Sequence, residues 1–165
     1  MGAREHHHHG RKSLKVGVLT ASDSRSAETD ESGHLIRDLL TAAGHRIEYY
    51  EVLPDDPACI RNAVLDHLPV LDAIIVNGGT GIAARDSTIE AVRALLDKEL
   101  EGFGELFRFL SYPEIGSAAF LSRATAGIAA GKIVASLPGS PEGCRLAMEK
   151  LLIPELGHMA HLLKL

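Results

Sequence analysis

The sequence predicts an α/β fold, a doubly wound, mostly parallel sheet in a three-layer α/β/α sandwich. Three observations carry that prediction. From Leu14 onward, short apolar runs alternate with amphipathic stretches, and no break marks a linker. The run LDAIIV, Leu71 to Val76, is nearly continuous in apolar residues, as strands covered on both faces are. That run stops abruptly in NGGTG, Asn77 to Gly81, where a strand hands over to backbone that needs glycine, either for a tight turn or for a bound anion.

Each element has its own signal. LKVGVLT (Leu14 to Thr20) reads as the first strand. SGHLIRDLLTAAGH (Ser32 to His45) reads as a helix, with Leu35, Ile36, Leu39 and Leu40 on one face and Gly44 as its stop. RIEYYEVL (Arg46 to Leu53) is a second, more exposed strand. PACIRNAVLDHL (Pro57 to Leu68) opens with a proline suited to a helix's first turn, and LDAIIV follows as the third strand. After the glycine loop, STIEAVRALLDKEL (Ser87 to Leu100) makes another helix, and KIVASLP (Lys132 to Pro138) is the fourth clear strand. PEGCRLAMEKLL (Pro141 to Leu152) and PELGHMAHLLKL (Pro154 to Leu165) close the chain as helices. Strands and helices at this spacing form βαβ units with right-handed crossovers and helices on both faces.

Residues 14–165 are expected to form one domain behind a disordered or tag-like tail, residues 1–13. His6 to His9 in that tail lack fixed geometry and are set apart from the chemistry. A formal charge of -5, 4% aromatic residues and no Trp offer neither a basic surface nor stacking platforms for nucleic acid. Cys59 and Cys144 stand far apart without metal-ligand partners, and both are read as buried thiols of a reducing cytosol. No apolar run reaches the roughly 18 residues of a membrane span, and the N-terminus has no apolar signal core, so a soluble, cytoplasmic protein is expected.

In doubly wound sheets ligands bind beyond the strands' carboxyl ends. Four loops lie there. TASDSRSAETDESG, Thr20 to Gly33, is dense in hydroxyls and carboxylates and holds a helix cap at Asp30 or Ser32. PDDP, Pro54 to Pro57, is by itself a turn and a cap. Gly78, Gly79, Thr80 and Gly81 offer backbone amides without Cβ atoms in the way, with a helix starting near Ser87. The loop is neither a P-loop nor Gly-x-Gly-x-x-Gly, which disfavours a nicotinamide dinucleotide site. SLPGSPEG, Ser136 to Gly143, turns at Pro138 and Gly139 before a helix that Ser140 can cap. Together the four imply a ligand with several phosphates and Mg²⁺, which takes one or two carboxylates and completes its shell with phosphate and water.

NGGTG followed by Arg85-Asp86, LPD at Leu53 to Asp55, SRATAG at Ser122 to Gly127 and LPGSP at Leu137 to Pro141 resemble the molybdopterin-binding family that includes MoaB, MogA and the G domain of gephyrin. The run Glu101 to Ala124 resembles the B-type bacterial members most closely, and the resemblance spans Leu14 to Leu165. It implies a MogA-like fold, adenylylation of molybdopterin by ATP with release of pyrophosphate, and a homo-oligomer, trimer or hexamer.

The resemblance also implies site roles. Asp55 and Asp86 match the family's two catalytic aspartates, with Asp86 assigned to Mg²⁺ or nucleotide phosphates and Asp55 to positioning the reacting phosphates. Gly78, Gly79, Thr80 and Gly81 would hold phosphate. Ser22, Asp23, Ser122 and Ser140, with Pro138 and Gly139, would shape the pterin and phosphate pocket. Arg85 and Arg123 either pair with phosphate or form surface ion pairs. The family commonly has proline after Asp-x-Thr, where this chain has Ile89, a change that removes no chemical group but bears on how the helix starts. Two alternatives stand beside the enzyme: a protein that binds molybdopterin or its precursor without turning over ATP, and a scaffold whose oligomer recruits a partner.

Overall fold

The computed structural model describes residues 13–165, so the His run and most of the tail lie outside the described residues. The expected first three strands are present as β1 (Lys15–Ala21), β2 (Arg46–Leu53) and β3 (Ala73–Asn77). The fourth is β6 (Lys132–Leu137), and with β4 (Lys98–Glu99) and β5 (Thr125–Ala129) it completes one six-stranded sheet ordered β2-β1-β3-β6-β5-β4. β2, β1, β3 and β6 run parallel. β5 is antiparallel to β6, and the two-residue β4 is antiparallel to β5.

The two added strands correct the reading of the middle of the chain. β5 and β6 meet in a two-residue hairpin turn, Ala130 at φ 47° and Gly131 at φ 75°. Positive φ at both positions matches the right-handed twist of paired strands. Ala130 N donates to Asp97 Oδ2 (2.7 Å), which holds the uncommon conformation in place. The helix read over Ser87 to Leu100 is only α3, Thr88–Arg93. Beyond it Asp97 N donates to Ile128 O and Leu100 N to Ala126 O, so pairing with β5 outcompetes the helical propensity of ALLDKEL. α4 (Glu101–Ile115) and a short 3₁₀ segment, Gly116–Leu121, then return to β5.

α1 (Glu31–Ala42), α4, α5 (Pro141–Ala147) and α6 (Ile153–Leu163) cover one face, where Ile36, Leu40, Phe107, Met148 and Leu156 pack on Val18, Ile75 and Ile133. α2 (Pro57–His67) and α3 cover the other, where Ile60, Val64 and Val92 pack on Leu19, Ile74 and Val134. Neighbours such as Ile74 and Ile75 thus go to opposite cores, which is why LDAIIV shows no alternation. Burying each such side chain stabilises the fold by about 1.5–3 kcal/mol. Between α5 and α6 the helix widens into a π-type turn, Met148–Leu152, ahead of Pro154, whose nitrogen has no hydrogen to donate. Cys144 is buried as expected, but Cys59 is exposed at the start of α2. Among the described residues no helix is long and apolar enough to cross a membrane.

Candidate functional site

Because β1, β3 and β6 are adjacent and parallel, their carboxyl ends deliver three loops to one edge. Gly78 N donates to Leu137 O (3.1 Å), carrying the β3 and β6 ladder into the turn. Gly78 has φ 86°, and a Cβ there would stand 2.3 Å from Ala21 O at the end of β1. A Cβ on Gly139 would stand 3.3 Å from the Cα of Gly78. The glycine turn, the end of β1 and the Pro138–Ser140 turn are therefore packed together, and at position 78 only glycine permits that spacing. Ser140 Oγ accepts from Gly143 N (3.2 Å), capping α5 as expected. α3 starts at Thr88 with Ile89 buried beneath it, so a helix forms without the family's proline.

The loop after β2 joins them. Asp55 N donates to Asp23 Oδ1 (3.0 Å), binding the second loop to the first. Asp55 Oδ1 is buried and has no hydrogen-bond partner, as has Thr88 Oγ1. Burial, then the negative charges of Asp86 and Asp23, raise the Asp55 carboxyl above its ordinary range, with Arg85 pulling the other way. Asp86 Oδ2 accepts from Ala83 N (2.9 Å), closing the tip of the glycine loop on itself.

Two carboxylates that repel across a glycine turn, one with an orphaned buried oxygen, fit a cation held jointly with an anionic ligand. Among the described residues no group of three or more His, Cys, Asp or Glu is placed to hold a metal by protein ligands alone. One or two carboxylates is the usual protein share of a Mg²⁺ shell.

The residues expected in a pterin and phosphate pocket divide between two depressions. Ser22 and Asp23 line a cleft of about 560 Å³ with Arg25, Tyr50 and Pro54. Ser122, Pro138 and Ser140 line a recess of about 410 Å³ with Ile115 and Leu146, between α4 and α5. Arg123 donates through Nε to Thr80 O (3.1 Å) and through Nη2 to Glu90 Oε2 (2.8 Å), so it braces the glycine loop from outside. Arg85 is exposed and acts on Asp55 through its charge.

Sequence reasoning overlooked a buried polar chain behind these loops. Asn77 Nδ2 donates to Leu19 O (3.1 Å) and to Thr20 Oγ1 (2.8 Å), and Thr20 Oγ1 donates to Asp30 Oδ2 (2.6 Å). Asp30, read only as a cap, does cap α1 through Gly33 N, but it also receives the Tyr50 hydroxyl (2.9 Å). A polar Asn closing an otherwise apolar buried strand was the available signal.

The family model named "Probable molybdopterin binding domain" matches residues 17–158. A Bacillus cereus protein named molybdenum cofactor biosynthesis protein B is 52% identical over 162 residues, 96% of each chain. A crystal structure of a molybdenum cofactor biosynthesis protein B superimposes with a TM-score of 0.91 at 51% identity, over 94% of this chain and 98% of that one. The tungsten cofactor synthesizing protein MoaB from Pyrococcus furiosus superimposes with a TM-score of 0.81 at 40% identity, over 93% and 96%.

Proposed function

The chain belongs to the molybdopterin-binding domain family, and on that premise we propose that it serves molybdenum cofactor biosynthesis by adenylylating molybdopterin with ATP and Mg²⁺. The terminal phosphate oxygen of the pterin attacks the α-phosphorus of ATP. A new P–O bond forms as the bond to the β-phosphate bridging oxygen breaks, and pyrophosphate leaves with that electron pair. The attacking oxygen is already anionic, so no general base is required. Two polyanions must instead be aligned and their charge neutralised.

The single observation that carries this reading is the Asp55 and Asp86 pair beside the glycine turn, with Asp55 Oδ1 buried and unpartnered. A protein that only carried the pterin would gain nothing from two repelling carboxylates at its phosphate site. Mg²⁺ held by Asp86, when bound, would withdraw charge from the phosphates. The Gly78 amide is taken by Leu137 O, so the amides of Gly79 to Gly81 hold phosphate, Asp55 positions the reacting groups, and Ser22, Asp23, Ser122 and Ser140 border the pterin. The protein works as a homo-oligomer, a reading supported by the exposed apolar row Leu106, Phe109 and Tyr112 on α4, with Phe120 just beyond.

Purified protein with molybdopterin, ATP and Mg²⁺ tests the proposal, scoring adenylylated pterin and pyrophosphate beside Asp86→Asn. Product in the wild type that falls about a hundredfold in the variant supports it. Wild-type protein that binds the pterin yet forms no product would make it a carrier of molybdopterin or its precursor.

A further inference from the structure

Asp30 is fully buried, which a helix cap alone does not require, because a cap works equally well at the surface. A buried carboxylate persists only where donors and a cation compensate it. Asp30 receives Gly33 N, the Thr20 hydroxyl and the Tyr50 hydroxyl, and Arg25 Nη1 stands 3.8 Å from its Oδ1. Arg25 in turn donates from Nη2 to Gly139 O (2.9 Å), and Ser32 Oγ donates to the same oxygen (2.8 Å). Both lone pairs of the Gly139 carbonyl are thereby engaged, one from the loop after β1 and one from the first turn of α1.

The polar chain therefore runs from Asn77 through Thr20, Asp30 and Arg25 to Gly139. It starts at the residue before Gly78 and ends in the turn that packs on Gly78. C=O and N–H of one peptide point in opposite directions, so a pinned Gly139 carbonyl also fixes where the Ser140 amide is aimed. Arg25 is not placed as an anion ligand itself: its guanidinium faces Asp30 and Gly139, and the cleft it borders also contains Asp23 and Glu51.

We propose that Arg25 is a positioning residue that, oriented by Asp30 and assisted by Ser32, locks the Pro138–Ser140 turn against the glycine turn. The phosphate-binding amides of the glycine turn and the Ser140 edge of the pterin and phosphate pocket then hold one mutual geometry before substrate arrives. The inference rests on the phosphate-handling role proposed above, and it adds the residue that sets that geometry. A lysine at this position offers a single point of charge, able to satisfy Asp30 or Gly139 but lacking the planar fork that reaches both.

The test compares wild type with Arg25→Met, Arg25→Lys and Ser32→Ala. In the ligand-free proteins, the amide resonances of Gly78, Gly79 and Gly139 should shift together in Arg25→Met while those of α6 stay in place. In turnover, the KM for Mg·ATP should rise about tenfold with kcat altered less than about threefold, and Arg25→Lys should fall between. Unchanged glycine resonances and KM would overturn the proposal. So would a collapse of kcat at constant KM, which would put Arg25 on the reacting atoms. If the wild type shows no turnover, the adenylylation reading fails by itself. Arg25 is then judged by the resonances and by affinity for inorganic pyrophosphate, where parity between wild type and Arg25→Met counts against it.

Discussion

Asp55 and Thr88 face each other across Gly79. A Cβ on that glycine would stand 2.4 Å from Asp55 Oδ1 and 2.3 Å from Thr88 Oγ1, and neither oxygen has a hydrogen-bond partner. The missing side chain is what lets a carboxylate and a hydroxyl converge on one stretch of backbone, where both remain available to a ligand.

Gly79→Ala should therefore fail twice over. Gly79 sits at φ 60°, where alanine is strained, and its methyl would collide with both oxygens. We expect a loss of about 1–3 kcal/mol in denaturant unfolding together with loss of turnover. Gly102→Ala is the control: it lies in the first turn of α4 with nothing within 4 Å of the added carbon, and should change stability by less than about 0.5 kcal/mol. Equal stability of the two variants would refute the crowding argument.

Asp55 should make the protein less stable as pH rises. Its native carboxyl holds a proton more tightly than the unfolded value of 3.8, chiefly through burial, then through Asp86 and Asp23. Below the unfolded value the group costs nothing. As pH climbs through the raised native value, the native state must ionise it at a penalty that becomes complete above that value. Asp55→Asn should thus raise Tm near neutral pH and lose that advantage in acid, while abolishing turnover. Melting curves across the acid range check this, and an Asn variant no more stable than wild type at neutrality would contradict it.

Much of this site was legible because glycine and carboxylates carry position-specific meaning. LDAIIV ending in NGGTG located the turn from its residues, while Asp55 and Asp86 were marked by the resemblance of LPD and ARD to the family, since PDDP by itself reads as a turn and a cap. β4 and β5 were missed because their pairing depends on distant partners: Thr125 to Ala129 is short and built of small residues, and Ala130-Gly131 lacks the Asn-Gly signal of a hairpin. The α3 boundary failed for the same reason, since only the β5 edge stops the helix at Arg93. Arg25 acts through a carbonyl of another loop, a tertiary placement with no local pattern, whereas Asn77, a polar residue closing an apolar strand, was a signal left unread. The exposure of Cys59 depends on which face α2 turns to β3, where Ile60 and Val64 take the core.

Phe109 and Phe120 should be assembly residues. They are 72% and 75% exposed, on the opposite side of α4 from the buried Gly104, Phe107 and Ser111 and just past its end. Phe109→Lys with Phe120→Lys should lower the mass seen by light scattering while the far-ultraviolet circular dichroism stays the same. A wild-type protein that is already monomeric would remove the reason for the row.

Arg123 and Glu90 should show the opposite pH dependence from Asp55. The hydrogen bond from Arg123, the largest cause, holds the Glu90 carboxyl below its unfolded value of 4.5. The pair's contribution is therefore present above that value and fades as pH falls through the lowered one. Glu90 is 58% exposed, so solvent and salt screen the pair and Glu90→Gln should change stability by less than about 1 kcal/mol. Its effect on the site separates two roles for Arg123. An arginine restrained from phosphate by Glu90 would bind nucleotide more tightly once Glu90 is neutralised. An arginine that braces Thr80 O would not, and we expect Glu90→Gln to leave the KM for Mg·ATP nearly unchanged while Arg123→Met raises it by roughly three- to tenfold. Tighter nucleotide binding in Glu90→Gln would instead make Arg123 a phosphate ligand held in reserve.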